Sequence, residues 1–229
     1  LSLVIQKDFE KELRSLFNGL NYEIIKYAMP GISLANAIKD KLKFSNPDIL
    51  FLSNHGLVVG ANSVKEALDK IYYISNKIKN STFKKNANLN ISYLDEISKN
   101  TLYRPTKFND SHQIASCERL INQVSRGSLF PDQVVFLGPK IYVANSLDDL
   151  TKISDNFKSE SKLPILIFPK SGILVPRNIS IEAEELILAL YLIISKIPND
   201  KEINYLTKSE ESEIINSSAE KYRLKINNS

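Results

Sequence analysis

The stretch from Ile49 to Gly60, ILFLSNHGLVVG, limits what this chain can become more than any other. Two short apolar runs, Ile49–Leu52 and Leu57–Val59, are separated by Ser53-Asn54-His55-Gly56. A short apolar run bounded by turn residues reads as a buried strand, and Asn and Gly both accept the backbone angles of a tight turn. The two runs should therefore pair as a hairpin across the Asn-His-Gly corner. That corner carries an imidazole, which can serve as a metal ligand aimed at a cleft or sit as a hydrogen-bonded histidine at a strand end. The residues alone leave both readings open. A zinc-type ion usually takes three or four protein ligands. The only other histidine is His112 and the only cysteine is Cys117, so the chain carries at most part of a metal centre.

Composition bounds the rest. The 229 residues are 43% hydrophobic and 24% charged, enough for one large or two small folded domains. Net charge is +4 and the cations are scattered. The densest group, Lys77, Lys79, Lys84 and Lys85, reads as a solvated helix end and loop, so nucleic acid is not an expected partner. A single cysteine excludes an internal disulfide framework, and no apolar run is long enough to cross a bilayer. Cytoplasm is the simplest compartment. The most apolar segment, Leu186–Ile194, is bounded by Glu184-Glu185 and Lys196 and reads as a buried helix. The chain opens on Leu1 with no basic leader, which suggests that processing or truncation removed what came first.

Periodicity gives the elements. Residues 1–17 suggest a helix ending near Asn18-Gly19, and Tyr22–Ala28 a strand broken by Met29-Pro30-Gly31. Ser33 should cap a helix through Leu42, and Ser63 with Glu66 forms a capping-box signature for a helix over about 64–79. Residues 81–110 read as a polar connector with one short helix near 93–99. Beyond it, His112–Arg126 is helix-like, Val134–Leu137 and Ile141–Ala144 are strands, and Ser146 starts a helix over 147–159. Leu163–Phe168 and Gly172–Val175 are strands, Ser180 caps a helix through Ile197, and Ser209 caps a last helix ending near Leu224.

Asn54-His55-Gly56-Leu57-Val58-Val59-Gly60 with Glu66-Ala67 resembles the NHGxxVxG…EA segment of the class II aldolase/adducin family. Tyr27-Ala28-Met29-Pro30-Gly31 with Leu34-Ala35 is similar to the stretch that precedes it there. Leu129-Phe130-Pro131-Asp132-Gln133 through Gly138-Pro139, then Ser171–Val175, then Ala219–Arg223, resemble the larger, rhamnulose-1-phosphate aldolase-like members, which occur alone or fused to a short-chain dehydrogenase. Asp132-Gln133 departs from the Pro-Asp-His common in those members and reads as turn chemistry before a strand.

The resemblance implies a divalent metal, usually zinc, held by a His-x-His pair, by a third histidine in the Asn-His-Gly segment and often by an acidic residue. Only His55 maps onto that set. The pair would precede Leu1, so the resemblance implies the C-terminal part of a longer aldolase, or a gene product without its front half. In the family the ion polarises a ketose phosphate and stabilises the enediolate left when the carbon–carbon bond breaks.

Other candidates carry less. His112 reads as a solvent-facing or capping histidine, Cys117 as a small core residue, and Glu182, Glu184 and Glu185 as partners of a helix dipole. Glu220, Tyr222 and Arg223 could reach a neighbouring subunit or cap the domain.

The expected fold is α/β: a three-layer αβα domain with a largely antiparallel sheet, incomplete at its N-terminus, over residues 1–80. The connector over 81–110 and a smaller αβ section with a C-terminal helix over 111–229 follow. The expected function is part of a metal-dependent aldolase cleaving a sugar phosphate to dihydroxyacetone phosphate and an aldehyde. It should be inactive alone, homo-oligomeric, and free of nucleic-acid and membrane partners. The alternative is a non-catalytic scaffold or oligomerisation module of the adducin type.

Overall fold

The computed structural model describes residues 1–78, 85, 88–158 and 162–218. It is a mixed helix and strand chain with two small sheets, and it divides into two compact units. Unit 1 comprises Leu1–Ser81 with Leu129–Pro131 and Ile197–Ile214, and unit 2 comprises most of the remainder.

In unit 1, α1 (Phe9–Leu16) is followed by β1 (Tyr22–Ile25), α2 (Ile32–Leu42), β2 (Ile49–Leu52), β3 (Gly56–Val59) and α3 (Val64–Lys77). The sheet order is β1-β2-β3, with β1 parallel to β2 and β2 antiparallel to β3. The predicted hairpin is therefore present, with Leu52 opposite Gly56 across the corner. Alternation along the strands decides which face each side chain joins. Ile49 and Phe51 pack with Phe9, Leu13 and Phe17 of the α1 region and Ile74 of α3. Leu50 and Leu52, with Ile25, face Leu34, Ala37 and Ile38 of α2. Helices thus cover both faces of this sheet, and each fully buried Leu, Ile or Phe contributes about 1.5–3 kcal/mol.

Several boundaries differ from the sequence expectation. Residues 1–8 are turns plus one bridge, Gln6 to Ile203, and not the first half of a helix. Their apolar residues Leu3, Val4 and Ile5 are buried by packing instead of helical periodicity. Gly31, at φ 96°, is the N-cap of α2 in place of Ser33. Only glycine adopts that backbone without strain. The capping box holds in part: Ser63 Oγ accepts from the Glu66 N–H at 3.2 Å, while the Glu66 carboxylate reaches the Asn62 N–H at 3.0 Å. The final helix, α9 (Lys208–Asn216), is capped by Thr207 and not by Ser209. The Glu210 carboxylate returns the contact to the Thr207 N–H at 2.6 Å. The predicted end of that helix near Leu224 lies outside the described residues, as do Lys79, Lys84, residue 159 and the Ala219–Arg223 motif.

In unit 2, the four-stranded sheet has the order β4 (Tyr103–Pro105), β7 (Gly172–Pro176), β6 (Leu166–Phe168), β5 (Tyr142–Val143). The first two pairings are antiparallel and the last parallel. Around it lie α4 (Ile91–Ser98), a 3-10 helix at Asn109–Ser116, α5 (Glu118–Ser125), α6 (Pro131–Leu137), α7 (Leu147–Asn156) and α8 (Ile181–Ile194). Leu94, Tyr103, Leu150, Leu166, Phe168 and Leu174 form a core cluster.

Val134–Leu137 is helix, not strand, because Pro131 starts a turn with its fixed φ and no N–H to lose. Asp132 and Gln133 lie inside that helix instead of in a turn, and Gln133 is buried. The helix expected over 112–126 is two pieces, broken where Cys117 is extended at φ −152° and ψ 153°. Cys117 is half-buried at that break.

Candidate functional site

The corner between β2 and β3 is built by three consecutive residues. Asn54 takes the left-handed conformation at φ 58°, which costs a branched side chain far more than it costs Asn. The His55 N–H donates to the Leu52 carbonyl at 3.1 Å and closes the turn, and Gly56, at φ 126°, starts β3. Asn54 is fully buried, and its amide fastens the corner to two distant segments of unit 1. Its Nδ2 donates to the Leu129 carbonyl at 2.8 Å and to the Asn204 carbonyl at 2.7 Å. The turn is therefore held from outside its own hairpin.

That frame orients His55. Its Nε2 lies 2.8 Å from the carbonyl oxygen of Ala28, just beyond β1. A carbonyl only accepts, so Nε2 carries a proton in this contact. An imidazole fixed by a backbone carbonyl at one nitrogen is the arrangement by which ligating histidines are oriented for a cation at the other. The ring is half-buried and stacks on Tyr27, with centroids 5.3 Å apart and planes 6° from parallel.

Tyr27 is the residue whose place beside the imidazole the sequence did not reveal. Its hydroxyl is buried and makes no hydrogen bond within the described residues. Burial, with the nearby charges of Glu210 and Glu213, pushes its pKa up to about 12, so the phenol stays protonated at neutral pH and can donate a proton contact. The available signal was its position at the end of a predicted strand, ahead of the Pro30-Gly31 break.

Tyr27 and Ala28 also line a groove of about 590 Å³ along β1, walled by Glu10 and Arg14 of α1 and by Lys41 of α2. Two of its three cations are already neutralised, Arg14 by Glu10 at 3.2 Å and Lys41 by Glu23 at 3.5 Å. The groove consequently lacks the concentrated positive charge that would hold a phosphate.

The other candidate ligands do not assemble with His55. His112 is in unit 2 and is 1% exposed, so it is neither solvent-facing nor a cap. Its Nδ1 accepts from the Ile173 N–H at 3.0 Å, and burial holds its pKa below the usual histidine range. The imidazole thus fills a place where Gly172 alone fits, since a Cβ there would come 2.3 Å from Nδ1.

Glu184 is also more than a partner of the helix dipole. It is 1% exposed, bidentate to Arg104 at 2.8 and 2.7 Å, and accepts from the Thr106 hydroxyl and the Lys107 N–H. Burial alone would raise its pKa, but these donors hold it down to about 2. Every strong contact is spent within the fold, so this pair is structural.

Among the described residues, no three His, Cys, Asp or Glu side chains converge as a cation site. No described helix is long and apolar enough to cross a membrane. Comparison with curated proteins found no match, and comparison with solved structures found none either. Residues 3–80, which contain the His55 corner, β1 to β3 and α1 to α3, match the family model for the Class II Aldolase and Adducin N-terminal domain.

Proposed function

We propose that this chain is part of a metal-dependent class II aldolase-like lyase in which His55 is one ligand of a divalent cation, zinc being the expected ion. The reaction would be reversible cleavage of a sugar phosphate to dihydroxyacetone phosphate and an aldehyde. The chain would be inactive by itself, because the remaining ligands must come from outside its described residues. The observation that carries this reading is the His55 corner: an imidazole held at Nε2 by the Ala28 carbonyl, on a turn fastened by Asn54. It lies inside the segment that matches the class II aldolase/adducin family.

When bound, such an ion would supply Lewis-acid polarisation of the substrate oxygens. The roles of this chain's own residues are separate from that. The Ala28 carbonyl orients the His55 ring and Tyr27 limits its rotation. The three-layer arrangement of the intact domain, membership of the rhamnulose-1-phosphate aldolase-like branch, a homo-oligomeric state and a cytoplasmic setting belong to the same proposal.

A second reading, a non-catalytic scaffold of the adducin type, is favoured by one observation: among the described residues no group of three or more His, Cys, Asp or Glu side chains gathers around His55. Reading the gene upstream of Leu1 and assaying its full product on rhamnulose- and fuculose-phosphate separates the two. The enzyme reading expects a His-x-His pair, turnover by the full product, and loss of at least about 100-fold with His55→Ala. Turnover untouched by that substitution, or no turnover and no upstream pair, would overturn it.

A further inference from the structure

The sheet of unit 1 pairs β1 with β2 alone, so β1 is an edge strand. The groove of about 590 Å³ follows that edge. Successive side chains of a strand point to opposite faces, so a hollow on the face of a sheet is lined by every second residue. This one is lined by every residue from Tyr22 to Ala28, with α1 as one wall and α2 as the other. Its floor is therefore the backbone edge of β1, between the helices that cover the two faces of the sheet. In a parallel ladder the N–H and C=O of a residue point to one side, and the side alternates along the strand. The Ile25 carbonyl accepts from the Ser53 N–H at 3.0 Å, so Ile25 faces β2, and the polar backbone of Tyr22 and Ile24 faces the groove. Neither residue makes a backbone hydrogen bond on that side among the described residues.

We propose that this groove binds an extended acidic peptide of a partner protein, which adds to β1 as a further strand and sets a carboxylate against Lys26. An open row of backbone donors and acceptors is a template for such addition, and main-chain bonds to Tyr22 and Ile24 supply the affinity. Charge selects the occupant. Arg14 is paired with Glu10 and Lys41 with Glu23, whereas Lys26, exposed at the C-terminal end of β1, makes no ion pair among the described residues. The lining thus has one more cation than carboxylates, and the excess is at that end. One carboxylate placed there fixes both the register and the direction of the added strand. Edge strands are commonly blunted by charge, proline or a covering segment. Within β1 the one charged side chain is Glu23, which is already engaged by Lys41. This inference is independent of the aldolase reading, since it uses neither a metal nor the His55 ring.

Probing an immobilised library of random peptides, each about nine residues long, with the fluorescent 229-residue chain tests it. Selected peptides should be rich in β-branched residues and carry Asp or Glu near one end. Adding one of them to the isotope-labelled chain should slow hydrogen exchange at the Tyr22 and Ile24 amides. Methylating the peptide's backbone nitrogens should abolish binding for one alternate set and spare it for the other. Lys26→Glu, an exposed change, should weaken binding roughly tenfold. A peptide with lysine in place of its acidic residue should recover affinity for that variant to within about threefold. A library without binders overturns the proposal and leaves the edge to another segment of the same polypeptide. So does binding that leaves Tyr22 and Ile24 exchange unchanged, or binding indifferent to Lys26→Glu.

Discussion

At the scale of single residues, the two histidines and Glu184 have opposite fates to those their neighbours in sequence suggest. His55 sits in an apolar stretch yet is half-buried at a turn, whereas His112 sits in a polar one and is sealed in a core. The difference is geometric. Three turn-forming residues surround His55, while His112 lies on a 3-10 helix whose inner side faces Gly172, the one position with no Cβ to block it.

Glu184 shows the limit of reading charge from a helix position. Its partners Arg104, Thr106 and Lys107 are about 80 residues away along the chain, so nothing local records them. Its carboxyl is held at about 2 against an ordinary 4.5, so its stabilising contribution is fully present above pH 4.5 and is lost as pH falls toward 2. That contribution is on the order of 3 kcal/mol. His112, held below its ordinary 6.5, charges more readily in the unfolded chain, so stability should begin to fall just below that value. Urea denaturation from pH 7 to 3 should therefore show two stages of loss. Glu184→Gln should remove the lower stage while costing about 3 kcal/mol at pH 7. A variant with the wild-type profile would contradict this account of the pair.

At the scale of elements, the hairpin, α3, α4, α7 and the cap of α8 were legible because their signals are local. Ser63, Ser146 and Ser180 each accept the backbone N–H three residues on. Elements failed where a short apolar run carried no period. Val134-Val135-Phe136-Leu137 reads as strand by its β-branched residues, but four residues cannot distinguish a strand from one turn of helix. Pro131 decided it. Residues 1–8 failed for the reverse reason, their apolar residues mimicking a helical period while packing as turns.

The choice between Thr207 and Ser209 turned on one register step. The structure makes Thr207 the cap, with Glu210 closing the box. Thr207→Ala should therefore cost about 1 kcal/mol in thermal or chemical unfolding, and Ser209→Ala less than about 0.5 kcal/mol. Equal costs, or the reverse order, would show the cap to be misplaced.

At the scale of the whole molecule, unit 1 draws on three stretches of sequence, Leu1–Ser81, Leu129–Pro131 and Ile197–Ile214. This explains why the candidate site was only half legible. The Asn-His-Gly corner is continuous and could be read directly. The anchors Leu129 and Asn204, and the acids Glu210 and Glu213 near Tyr27, enter from segments 75 or more residues away and have no motif of their own. Among the described residues the corner offers one imidazole, and a single imidazole binds a cation weakly, since affinity for zinc rises with the number of ligands held in place.

Nitrogen-detected NMR of the His55 ring during zinc titration of the 229-residue chain, followed by dialysis and metal analysis, tests this most directly. The account predicts a zinc-dependent shift at His55 Nδ1, weak binding, and no ion retained after dialysis. A stoichiometric zinc that survives dialysis, or a His55 ring unmoved by excess zinc, would contradict it.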